Sequence, residues 1–209
     1  MSVLVFVEAS NGKIKKAGFE GVSYAKNTAD QVGSTVTAIV FGNADATEVS
    51  SLGEYGATKV LHAKGEAFNQ FDAGAFTAAV ALAVEKENSQ IIIFPFDNSG
   101  KAIAPGLSAK LKAGLVSGAL NYPSTSGGFK VKKNVFSGKA IAEVEIITTK
   151  KIIAFTPNSV GAKQVGGSTT IEDYAPAVKS SKIKLVEIKK LEGDVPLPEA
   201  ELVVSAGRG

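Results

Sequence analysis

The sequence predicts an α/β protein: three layers around a mostly parallel sheet, with added antiparallel strands. Three observations carry this. In the first hundred residues, short β-rich runs alternate with segments whose apolar residues recur every three or four positions. The runs at 3–7 and 90–94 are apolar without alternation, as strands covered on both faces must be. Beyond Ser117 the helical period gives way to β-like runs separated by turn residues. With 209 residues and 44% hydrophobic content the chain can bury a core, and its 21% charged residues place it among folded proteins.

The elements follow in order. A first strand over 3–7 leads to a helix on which Phe19, Val22, Ala25, Ala29 and Val32 share one side before Gly33 stops it. A strand at 35–41, a short helix near 46–55 and a strand at 59–63 come next. Asp72 is placed to cap a helix over 75–84 that ends in the charged turn at 85–87. The most apolar strand, 90–94, belongs at the centre of the sheet. A turn-rich stretch at 95–101 then enters a helix over 102–111, with Pro105 in its first turns. Three β runs, 129–136, 139–147 and 151–155, are expected as antiparallel additions, with Gly127 and Gly128 supplying turn chemistry. A basic strand is expected over 180–191, a linker over 192–201 and a new strand from Leu202.

Composition removes several chemistries. No cysteine means no disulfide, thiolate metal site or cysteine nucleophile. The one histidine, His62, sits in a strand-like run without an alternating carboxylate and is expected to be structural. The first hundred residues are net −4 and the rest +7, but the lysines of the second half alternate along strands, without interleaved aromatics. A solvated strand face accounts for them, and no nucleic-acid partner is expected. No apolar run approaches the roughly 20 residues of a membrane span, and Glu8 arrives too early for a secretory signal, so a cytoplasmic protein is expected.

Phosphate motifs fail as well. Gly100-Lys101 has Pro95 where a Walker loop needs its first glycine and Ala102 where it needs a hydroxyl. No Gly-x-Gly-x-x-Gly follows the first strand. The segment 161–168 has backbone amides that could form an anion nest, though a surface loop is the simpler reading. Glu143 and Glu145 share a strand face, where pairing with Lys139, Lys150 or Lys151 explains them better than acid–base chemistry. Asp97 and Ser99 stand beyond the central strand, where open α/β sheets bind ligands, and could equally cap the next helix.

The segment Pro95-Phe96-Asp97-Asn98-Ser99-Gly100-Lys101-Ala102-Ile103-Ala104-Pro105-Gly106-Leu107 resembles the alpha subunit of electron transfer flavoprotein, the FixB-like family. The opening at 3–8, the run at 56–61, Phe136-Ser137-Gly138-Lys139-Ala140, Thr156-Pro157-Asn158 and Val203-Val204-Ser205-Ala206-Gly207-Arg208-Gly209 agree in order and spacing. Gly106, Gly118 and Thr156 depart from the pattern where the family often has arginine, aspartate and arginine, and Ala206 replaces a glycine.

The resemblance implies an adenine-nucleotide-hydrolase-like amino-terminal domain over 1–191, a linker over 192–201, and at 202–209 the first strand of an FAD-binding domain that is otherwise missing. It implies a scaffold packed against a beta subunit, in a heterodimer carrying electrons from flavin dehydrogenases to a downstream acceptor. In that family the beta subunit holds AMP and the alpha domain does not. Arg208 is the position the resemblance places beside FAD, where a cation stabilises the reduced flavin's negative charge and tunes its potential. The chain is thus expected to serve an electron carrier and to catalyse nothing alone, with FAD held by the intact protein. The alternative is an adenine-nucleotide-binding module of the stress-protein type.

Overall fold

The structure, a computed structural model, describes residues 2–68, 70–179, 186–187, 200 and 202–207. Its spine is β1 (Ser2–Ser10), flanked by two parallel neighbours, β3 (Thr35–Phe41) and β5 (Ile91–Pro95). A two-residue strand, β2 (Lys13–Ile14), folds back on the end of β1. The rest of the sheet comprises β4 (Lys59–Ala63), β6 (Gly114–Ala119), β7 (Lys130–Val135), β8 (Ala140–Glu145), β9 (Lys151–Phe155) and β10 (Thr170–Tyr174). The order across it is β10-β4-β3-β1-β5-β9-β6-β7-β8, which puts β5 at the centre as its composition predicts.

Alternation along β1 divides the core into two layers. Val3, Val5 and Val7 face one side, where α1 (Lys16–Val32) lays down Val22, Ala25 and Ala29. Leu4 and Phe6 face the other. There α3 (Ala73–Lys86) contributes Phe76, Ala79, Val80 and Ala83, and α4 (Asn98–Leu111) contributes Ile103 and Leu107. The helix caps are those expected: Gly33 ends α1, and the Asp72 carboxylate accepts the Ala75 amide at 2.7 Å. The short helical stretch resolves into α2 (Ala46–Ser51) and a 3₁₀ turn at Leu52–Tyr55.

Several expectations change. The helix expected over 102–111 begins four residues earlier because Asp97 caps it, accepting the Gly100 amide at 2.8 Å. Pro105 therefore lies in its interior, where it forgoes the bond to the Lys101 carbonyl on an exposed face that water can satisfy. Of the three expected antiparallel runs, only β7 and β8 form a hairpin. The third, β9, is parallel and inserted between β5 and β6. Its Ile152, Ile153, Ala154 and Phe155 are all buried, the pattern of an interior strand. Strands β6 and β10 were not expected. The basic strand over 180–191 falls largely outside the described residues, and Val186 and Glu187 carry no regular structure. Residues 202–207, expected to open a strand, form no regular element.

The strap between β9 and β10 must pass from the middle of the sheet to its far margin, and it does so over α1. Glu20, 4% exposed, holds it: its carboxylate accepts the amides of Asn158 at 2.7 Å, Val160 at 3.0 Å and Gly161 at 3.0 Å. Ser23 accepts the Lys163 amide at 2.9 Å and donates to the Lys163 carbonyl at 3.2 Å. The Glu54 carbonyl takes the amides of Val165 and Gly166.

Two glycines of α4 test this geometry against each other. A Cβ on Gly100 would overlap the Pro95 carbonyl oxygen, whereas one on Gly106 would meet only Thr77, at 3.7 Å. Gly100→Ala is expected to lower the unfolding free energy by about 3 kcal/mol or more. Gly106→Ala is expected to raise it by about 0.5–1 kcal/mol by removing backbone entropy from the unfolded chain. Urea denaturation of the two variants checks both signs.

Candidate functional site

In a sheet of this kind ligands are expected beyond the carboxyl ends of the strands, where connections leave in opposite directions. That point lies between β1 and β5. The crevice there is filled by the protein's own side chains. Ser99 donates to the Glu8 carboxylate at 2.7 Å, and the other Glu8 oxygen pairs with Lys15 at 2.8 Å. Asp97 turns its carboxylate onto the first turn of α4. Burial pushes Asp97 above the ordinary aspartate range, and the nearby Glu8 charge adds to the effect. The Asp97 and Ser99 singled out in the sequence thus meet each other through α4 and Glu8. Two carboxylates occupy the place where a phosphate group would need donors.

Beside this crevice, between the ends of β1 and β3, opens a cavity of about 640 Å³. Glu8, Ser10, Asn11, Asn43 and Asp45 supply its polar rim, and Phe41, Phe68, Phe71 and Phe76 its apolar wall. Among the described residues no lysine, arginine or histidine lines it. His62, as expected, is buried, its ring nitrogen 3.2 Å from the Gly42 carbonyl, and it stays out of the cavity.

The other expected sites resolve into internal contacts. The anion nest sought at 161–168 exists at its border: the amides of 158, 160 and 161 converge on an anion, but the anion is the Glu20 carboxylate. Glu143 pairs with Lys130 at 3.7 Å and lies opposite Lys132, in place of the lysines expected as its partners. Among the described residues no group of His, Asp or Glu could hold a metal ion. Arg208, the expected flavin contact, lies outside the described residues. A flavin dinucleotide needs donors around its pyrophosphate; among the described residues the crevice offers Lys15, already paired with Glu8, and the cavity rim offers no cation, so these residues do not fit that group.

The opposite end of the sheet has a different character. Phe136, at the tip of the β7–β8 hairpin, is 81% exposed, Ile141 on the outer strand 65%, and Ile147 just beyond it 89%. Among the described residues β8 pairs only with β7, and the outward half of its backbone groups has no sheet partner there. Composition had indicated a solvated basic face here and missed the apolar residues between the lysines. No helix among the described residues is long and apolar enough to cross a membrane.

Comparison with known proteins gives a consistent result. A family profile described as "Electron transfer flavoprotein domain" matches residues 3–179. An electron transfer flavoprotein subunit alpha of Bacillus subtilis is 30% identical over 212 aligned positions, covering 99% of this chain and 64% of the relative. Protein FixB of Escherichia coli O157:H7 is 26% identical, over 88% of this chain and 58% of the relative. The lactate dehydrogenase (NAD(+),ferredoxin) subunit LctC of Acetobacterium woodii is 24% identical, over 99% and 51%. The chain thus spans 64% or less of the length of these relatives.

Two substitutions probe the groups that close this region. Glu20→Gln leaves strap amides facing an amide nitrogen and is expected to cost about 2 kcal/mol in urea unfolding. Hydrogen exchange at Asn158, Val160 and Gly161 should accelerate selectively. Asp97→Asn keeps the helix cap and removes a charge that burial disfavours. Because Asp97 has a raised folded pKa, its ionisation detracts from stability above that value and not below the ordinary aspartate range. The asparagine variant should therefore be the more stable protein at neutral pH, with the gain vanishing as acid protonates Asp97; thermal unfolding against pH measures it.

Proposed function

The chain belongs to the electron transfer flavoprotein family, and on that premise we propose that it is the scaffold of an alpha subunit in a heterodimeric electron carrier. The carrier takes electrons from flavin dehydrogenases and delivers them to a downstream acceptor, and the chain itself is not a catalyst. The observation that carries this reading is the collinear match over residues 3–179, which takes in the sheet from β1 to β10. The organisation goes with it: residues 1–191 as amino-terminal domain, 192–201 as linker, and 202–209 as the first strand of an FAD-binding domain, with Arg208 beside the flavin. FAD supplies the redox chemistry when bound. This chain's contribution is shape and a docking face. The compartment is the cytoplasm.

The beta subunit is assigned to the β7–β8 end. A strand margin unpaired among the described residues, with Ile141 on it and Ile147 just beyond it, suits a protein neighbour better than solvent. The reading as an adenine-nucleotide module is disfavoured by the Glu8 and Asp97 carboxylates at the strand ends.

Mixed with the beta subunit of its own organism, the chain should elute as a one-to-one complex in size-exclusion chromatography with light scattering. Ile141→Asp combined with Ile147→Asp should abolish the complex and leave the thermal unfolding of the isolated chain nearly unchanged. The chain alone should bind no stoichiometric FAD. A yellow isolated chain, or no complex at micromolar concentrations, overturns the proposal.

A further inference from the structure

The cavity between the ends of β1 and β3 has no part in the scaffold role, yet it is built like a ligand site. Its volume of about 640 Å³ lies in the range of small-molecule pockets. Its wall is rigid: Phe41 stacks on Phe76 with ring centroids 4.4 Å apart, and Phe68 meets both edge-on at 5.3 and 5.8 Å. Phe71 completes the wall differently. It touches Phe76 edge-on at 5.2 Å but is 46% exposed, so it leaves ring surface open at the mouth.

The polar rim consists of acceptors and carboxamides. Glu8 is already engaged with Lys15 and Ser99. Asp45 is not engaged in the same way. It stands at the N-cap of α2, where an aspartate ordinarily accepts a helix amide, but its carboxylate makes no such bond. It stands instead against Gly12, with its oxygens 3.1 and 3.3 Å from where a Cβ on that residue would lie. Asn11 and Asn43 line the cavity with it. Among the described residues no cationic side chain lines the cavity, and Lys15 beside it is taken up by Glu8, so an anionic ligand is disfavoured, whereas hydroxyl or ammonium donors would find acceptors.

We propose that this cavity binds a small planar ring compound that carries hydroxyl or ammonium donors and no anionic group. The ring lies against Phe71, and its donors reach Asp45 and the two asparagines. An ammonium group would gain further from the open aromatic face. The site is independent of the assembly function, since it lies at the strand ends and not at the β7–β8 margin.

Titration of the intact chain with adenosine, AMP and tyramine, followed by amide chemical shifts, tests the proposal. Adenosine offers a ring with hydroxyl donors, tyramine a ring with an ammonium, and AMP the adenosine ring system with a phosphate. Adenosine or tyramine should move the amides of residues 9–12 and 42–45 with saturation at or below millimolar concentration. Whichever of the two binds more tightly identifies the donor. AMP should bind about tenfold more weakly than adenosine or not at all, a factor corresponding to about 1.4 kcal/mol. Phe71→Ala and Asp45→Asn, both at exposed positions, should each weaken the binding about fivefold or more while the remaining spectrum stays in place. The proposal is overturned if neither adenosine nor tyramine moves these amides, if AMP binds as tightly as adenosine, or if both variants bind like the parent.

Discussion

The arrangement of the whole sheet depends on one buried carboxylate. To add β10 beside β4, the chain leaving β9 must cross the outer face of α1, and a backbone crossing apolar ground needs partners for its amides. Glu20 provides them from the helix, accepting three strap amides within 3.0 Å. The desolvation of that carboxylate is offset by the three backbone donors that converge on it. Ser23, one helical turn on, repeats the arrangement with a hydroxyl that both accepts and donates. What begins as a single acidic residue on an otherwise apolar helix face ends as the tether of a sheet margin.

The same use of internal anions closes the upper crevice. Glu8 takes up Ser99 and Lys15, and Asp97 takes up the Gly100 amide, where related architectures leave backbone donors free for a ligand. A fold that elsewhere positions chemistry is left here with a sealed switch point, an acceptor-rimmed cavity beside it, and an apolar ribbon at the far end. This separation is what the proposed scaffold role would call for, with surfaces presented by these residues and the reactive group held elsewhere.

Much of the fold was legible in the residues, and the failures have physical causes. Strands 35–41 and 59–63 were read to the residue because turn residues bound them and their interiors are β-branched. The parallel nature of β9 was missed, the run having been expected as antiparallel, although its composition carries the signal: Ile152 to Phe155 repeat the unbroken apolar pattern of β5, which a hairpin strand with a wet face does not show. Pro105 misled because proline was placed near a helix start, while the true start was set by a cap eight residues earlier, at Asp97. Strand β10 was hidden because Thr170 to Tyr174 has little apolar content. Its place is secured by distant partners, Lys59, Lys64 and Lys86 for its carboxylates and Ala79 for the Tyr174 hydroxyl. Of the site, Asp97 and Ser99 were found through their position after the central strand. Glu8 and Glu20 were not, because their roles depend on residues about 90 and 140 positions away.

The two margins of the sheet are unlike. At β10, Glu172 and Asp173 hold lysines across the outermost strand, a charged fringe that resists further pairing. At β8, exposed apolar side chains flank a ladder that has no outer partner among the described residues. Among the described residues the two rims therefore answer a neighbouring strand in opposite ways: one repels edge-to-edge pairing through its charges, and the other leaves backbone groups and apolar surface to receive it.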